Sequence, residues 1–261
     1  MAPVLYLNMY EPVRREFIRC NNFFYDQSTE RLLASFTDDS IDVAAQQAAQ
    51  DRLDRLSIHF DPETMDPSDG FEEANNEEIT IWLQLDAMRT STRISIVAGM
   101  FQEFEKSLRE WLADQLAGCG VPYHEGIWTM VFSGLLEHLS KPECWNMQTQ
   151  PFWERLRQGL ILVNAWKHGK GPSFDKLYHE YPRFIDVDDR SRASIGPHNL
   201  SLPAWWARRL TVQPRDLKSF SEAINAFWAH IPEDTPSDQF LFLKKRNNKK
   251  LKNSPLQRLN E

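Results

Sequence analysis

The feature that most constrains this chain is an apolar stripe across residues 77–116. Val97, Met100, Phe101, Phe104, Leu108, Trp111 and Leu112 recur in steps of three and four, which places them on one face of an α-helix. Ile79, Leu83 and Ile94 extend the stripe upstream, and Gly118 and Gly120 stop it. At ~1.5 Å per residue such a helix outruns the core of a small domain. The stripe therefore predicts either a break near residues 90–92 or a helix that projects into a partner. In both cases the rest of the chain must organise around a helix.

The remaining segments fit that frame. Helices are expected over 11–24, over 28–36 with Ser28 or Thr29 as a cap, and over 41–60, where Ile41, Ala44, Ala48, Leu53 and Leu56 keep near-helical spacing. Further helices are expected over 127–139, 152–168, 174–181 and 214–230. Residues 182–203 read as loop with a short strand. Between 61 and 78 there are eight acidic residues and no basic one, with Pro62, Pro67 and Gly70 among them. Such a stretch buries little apolar surface, so 61–76 reads as a mobile loop or an acidic arm over a basic surface. Lys244, Lys245, Arg246, Lys249, Lys250 and Lys252 give the end of the chain the opposite sign. The expected organisation is a helical N-terminal region at 1–60, the acidic loop at 61–76, a helical core at 77–240 and a disordered basic tail at 241–261.

Several classes of function are disfavoured. No run approaches the roughly 20 apolar residues that span a bilayer, and the first ten residues lack the pattern of a secretory signal. A cytoplasmic protein without membrane contact is expected. Cys20, Cys119 and Cys144 are odd in number and far apart, which argues against a disulfide framework or a cysteine zinc site. His59, His124, His138, His179, His198 and His230 show no metal-ligand spacing. No metal or other cofactor is expected. The net charge of −7 argues against a general nucleic-acid binder, although the tail could contact a polyanion. Trp205 and Trp206, followed by Arg208 and Arg209, could stack bases or could pin a loop to the core.

The segment with chemistry in it is Asn164-Ala165-Trp166-Lys167-His168-Gly169. Asn164 and His168 are four residues apart, one helical turn on one face. Gly169 follows as a helix terminator, and Lys167 and Lys170 add positive charge at the same end. A histidine exchanges protons near neutral pH, so these groups could hold a phosphate and move a proton beside it. The alternative is ordinary capping of a helix C-terminus by basic residues.

On these residues the chain resembles the HEPN superfamily. The helix from Arg93-Ile94-Ser95-Ile96 through Phe104-Glu105 to Leu108 is similar to an earlier core helix of bacterial HEPN-like proteins. Residues 163–171 are similar to the later motif helix, and Asp216-Leu217 through Ala226-Phe227-Trp228 to the closing helix. The resemblance spans 77–231. It implies a helical bundle that forms a homodimer and, in active members, a metal-independent ribonuclease, often a toxin or effector of bacterial defence. His168 would be the general acid or base, Asn164 would orient it or the phosphate, and Lys167 would be the nearest cation. Arg157 and Lys170 would line the RNA. RNA, an antitoxin and a neighbouring defence protein are the implied partners. Val163 stands where the family carries Arg, so a non-catalytic dimerisation or partner-binding module is the alternative.

Overall fold

A computed structural model describes residues 5–58, 60–61, 63–64, 66–121, 124–187 and 209–243. The fold is mainly helical, as the stripe requires. In chain order the elements are β1 (Tyr6–Asn8), α1 (Glu11–Leu32), α2 (Asp38–Ser57), α3 (Pro67–Gly118), α4 (Gly126–Thr129), α5 (Phe132–Leu139), α6 (Pro151–His168), α7 (Pro172–Glu180), α8 (Pro214–His230) and β2 (Asp234–Pro236).

The long helix α3 runs unbroken for 52 residues. Thr92 and Ser95 do not break it. Their hydroxyls donate to the carbonyls of Met88 and Ser91 one turn back, at 2.8 and 2.9 Å, which satisfies them inside the helix. The helix also starts earlier than its composition suggests. Residues 67–76 are its first turns and not a mobile loop. Pro67 occupies the first helical position, and the Asp66 carboxylate accepts from Ser68 N at 2.8 Å, the usual start signal. The neighbour that orders this acidic stretch is α2, which packs along the first half of α3. Arg52 pairs with Glu73, and Trp82 Nε1 donates to Asp42 at 2.9 Å. The projecting half of α3 therefore finds its companion within the same chain.

The second half of α3 is the axis of the core. Phe104 is buried and meets the rings of Phe132, Phe227 and Trp228 edge-on at 5.5, 4.8 and 5.7 Å, a favoured aromatic geometry. Helices α1, α6 and α8 pack around it. The N-terminal region is tied into this core. β1 pairs antiparallel with β2, Tyr6 opposite Pro236, and Leu7 and Met9 are buried. The segments 11–24 and 28–36 form mostly one helix, α1, with Ser28 buried inside it and a 3-10 turn at Ala34–Phe36. The single helix expected over 127–139 is two, α4 and α5. Arg109 from α3 donates to the carbonyls of Ile127 and Met130, so those groups are satisfied without continuing the helix. Of the loop and short strand expected over 182–203, the described residues 182–187 include Ile185, which forms an isolated bridge with Leu210, and 188–203 lie outside the described residues.

The start of the expected tail is also ordered. Leu243 is buried, and the Phe242 ring lies 3.8 Å from that of His138. His138 Nε2 contacts Gln239 O at 3.2 Å. Burial holds the His138 imidazole below the ordinary histidine value of 6.5, with Lys141 acting the same way and the Gln239 contact and Glu143 opposing. The unfolded chain thus binds the proton more readily. His138 contributes stability that is complete above pH 6.5 and is lost as pH falls through its lower folded value. The expected result is a melting temperature that drops on acidification below that pH, with a smaller drop in His138→Gln, measured by circular dichroism.

Candidate functional site

Helix α6 carries the candidate residues. Pro151 opens it, and Leu156, Gly159, Leu162, Val163 and Ala165 form its buried face. It ends as its sequence requires. Gly169 has φ of 64° and donates to Ala165 O at 2.9 Å, a backbone conformation that residues with a Cβ avoid. Trp166, Lys167 and His168 are exposed on the last turn, while Asn164 is half-buried.

The surroundings separate these residues into three grooves. Asn164 and Lys167 line one of about 340 Å³, together with Glu105, Arg109, Trp128 and Val131. On the other side of Asn164, a groove of about 700 Å³ includes Arg157, Ser173 and Lys176. Lys170 lies in a third, of about 1040 Å³, between α3 and the end of α6. His168 lines none of the three and stands in solvent beside Lys167. Asn164, Lys167 and His168 make no side-chain hydrogen bond or ion pair among the described residues. The expected pairing of Asn164 with His168 is thus one of helix face and not of direct contact.

Two cations have other engagements. Arg157 pairs with Glu154 at 3.1 Å and Glu180 at 3.2 Å. Tyr181 OH also donates to Glu154, at 2.5 Å; burial and the Glu154 carboxylate push that phenol up. Arg157 therefore anchors α7 to α6 and presents a largely neutralised surface to the groove. Arg109, which the stripe's apolar pattern conceals, lines the same groove as Asn164 and Lys167. Its guanidinium is buried, paired with Glu105 at 2.7 Å and spent on the Ile127 and Met130 carbonyls. The sequence signal for it was a Glu–Arg pair four residues apart within an otherwise apolar face. Val163 is only 4% exposed and belongs to the core.

The other candidates divide similarly. His138 and His230 contact backbone carbonyls, those of Gln239 and Trp145. The His179 ring lies 5.1 Å from that of Tyr178. The thiols of Cys20, Cys119 and Cys144 are all free and all pushed up, chiefly by burial, Cys144 to about 12. They are protonated at neutral pH and poor nucleophiles. Among the described residues no cluster of His, Cys, Asp and Glu is placed to hold a metal ion, and no helix is long and apolar enough to cross a membrane. His59, His198, Trp205, Trp206, Arg208 and the basic residues 244–252 lie outside the described residues.

No protein-family model, no curated protein and no solved structure matches the chain.

Proposed function

We propose that the protein is a HEPN-type, metal-independent endoribonuclease, or a toxin derived from one, that acts on cytoplasmic RNA in bacterial defence. The observation that carries this reading is the trio at the end of α6, whose side chains have no partner among the described residues. His168 and Lys167 are exposed on its last turn, and Asn164 opens into a groove one turn earlier. Groups held by internal partners are not free to act on a substrate; these are.

In this reading His168 removes the proton of a ribose 2′-hydroxyl. The 2′-oxygen then attacks the adjacent phosphorus, the bond to the 5′-oxygen breaks, and that oxygen takes up a proton from a second acid. The product is a 2′,3′-cyclic phosphate and a free 5′-hydroxyl. Lys167 balances charge on the phosphorane as it forms. The trio of one protomer holds one histidine, and in this reading His168 of another copy is the second acid. Trp128 is 49% exposed and Val131 69% exposed at the rim of the Asn164–Lys167 groove. Exposed apolar groups at that place support a face covered by dimerisation.

The buried Val163 favours a second reading, a non-catalytic bundle that assembles with itself, an antitoxin or another defence protein. The test is incubation of purified protein with RNA in the presence of a chelator, with the product ends identified. Cyclic phosphate ends made by the wild type and absent with His168→Ala support the nuclease. A stable dimer of both proteins without cleavage by either supports the assembly module.

A further inference from the structure

The largest of the three grooves has an unusual cation in its wall. Arg89 and Arg93 stand one turn apart on α3, and both line the groove opposite Trp166 and Lys170 of the α6 end, with Arg209 beside them. Two acids that could neutralise the arginines are already used: Asp38 and Asp86 both pair with Arg89. Arg93 forms no ion pair among the described residues, and its Nε is buried without a hydrogen-bond partner. Burial, with Arg89 adding repulsion, pulls the Arg93 guanidinium below its ordinary range, against the weaker pull of Asp86 and Asp38.

Such a group is costly to keep. A desolvated cation beside a like charge is normally matched by a carboxylate or exposed to water. Here no carboxylate among the described residues pairs with Arg93, although Asp86 and Asp186 also line the groove. A guanidinium is a planar fork that grips phosphate oxygens through two parallel bonds. Trp166, 38% exposed, offers a flat aromatic surface on the facing wall, suited to a base. Phosphate recognition next to a stacking surface describes a nucleotide unit.

We propose that this groove binds one phosphate of an RNA chain through Arg93, with a base against Trp166. The groove lies on the side of the α6 end away from Asn164 and would hold the strand that His168 acts on. The inference rests on the reading of RNA as the substrate.

The test uses the full chain carrying His168→Ala, to prevent cleavage, and a fluorescein-labelled single-stranded oligouridylate read by anisotropy. Adding Arg93→Gln is expected to weaken binding about tenfold and to lower the slope of log affinity against log salt by about 0.7. Trp166→Ala is expected to weaken binding about tenfold or more with little change in that slope. Without RNA, Arg93→Gln should melt at or above the temperature of its parent, because an unmatched cation has gone; a purely structural arginine would lower it. Unchanged affinity in the folded Arg93→Gln protein, or no RNA binding by the parent, overturns the proposal. Adenosine monophosphate that displaces the oligonucleotide at comparable concentration assigns the groove to free nucleotides and overturns its assignment to RNA. Cleavage by the wild type is scored separately. Arg93-dependent binding without cleavage keeps this groove and removes the nuclease, while cleavage with Arg93-independent binding does the reverse.

Discussion

Replacing Arg14 with alanine lowers the stability of the fold by about 3 kcal/mol, a drop in melting temperature of roughly 6–12 °C for a domain of this size. Arg14 is 8% exposed. Its Nη1 donates to three carbonyls at the end of α8: Trp228 at 2.7 Å, Ala229 at 3.0 Å and Ile231 at 2.8 Å. A helix end leaves such carbonyls without partners, and here two of the three bonds are buried. Bonds to a charged donor are each worth more than neutral ones, and no water can replace a buried guanidinium. Glu11 at 3.2 Å holds the arginine from its outer side. The same contact joins the start of α1 to the chain that turns into β2, so its loss also loosens the pairing of β1 with β2. Urea or thermal denaturation measures the effect, and Arg14→Lys should recover only part of it, because the shorter side chain places its ammonium less well for the three carbonyls and gives up the Nε contact with Glu11. A change below about 0.5 kcal/mol, the usual range for ordinary surface positions, would show that the carbonyls find other donors.

The second large effect falls on the crossing of α3 and α6. A Cβ added at Gly159 would lie 2.2 Å from Phe101 Cζ and 2.4 Å from its Cε2. Phe101 has no room to retreat, since it is 2% exposed and meets Phe104 and Phe220 edge-on at 6.4 and 6.0 Å. On an exposed helix Gly→Ala would stabilise by about 1 kcal/mol. Here overpacking reverses the sign, and Gly159→Ala should cost about 2 kcal/mol net. Phe101→Leu in the same chain should recover part of that loss, a non-additivity read from a double-mutant cycle. The consequence reaches the candidate site, because α6 carries Asn164 and His168 at its far end. Pushing α6 off α3 displaces both, so under the proposed nuclease function Gly159→Ala should reduce RNA cleavage even where the protein stays folded.

What the sequence could and could not convey follows from the range of the forces involved. Helices α6 and α8 were legible nearly to the residue. Pro151 and Pro214 set their starts, and Gly169 ends α6 through local backbone geometry. The first turns of α3 were hidden. Their acidic composition resembles a loop, and what orders them is the side of α2, contributed from elsewhere in the chain. β1 and β2 were hidden for the same reason. Each is three residues long, and each exists only because its partner arrives from the other end of the described chain. The candidate site shows the same division. Helical spacing located Asn164, Lys167 and His168 together, and the structure leaves Lys167 and His168 exposed and Asn164 half-buried. Spacing could not show that Glu180 from α7 occupies Arg157, or that Lys170 turns away from Asn164 toward the arginines of α3. Arg93 counted only as part of a helix, because its lack of a carboxylate partner among the described residues is a property of the assembled groove.

The most direct measurement is the rate of RNA cleavage by wild-type protein against His168→Ala, both folded and at equal concentration, with chelator present. Loss of a general acid or base costs about 10²–10⁴-fold, and the nuclease reading requires a fall of that size with 2′,3′-cyclic phosphate ends in the wild-type products. Equal rates for the two proteins, or no cleavage by a folded, dimeric wild type, would contradict it.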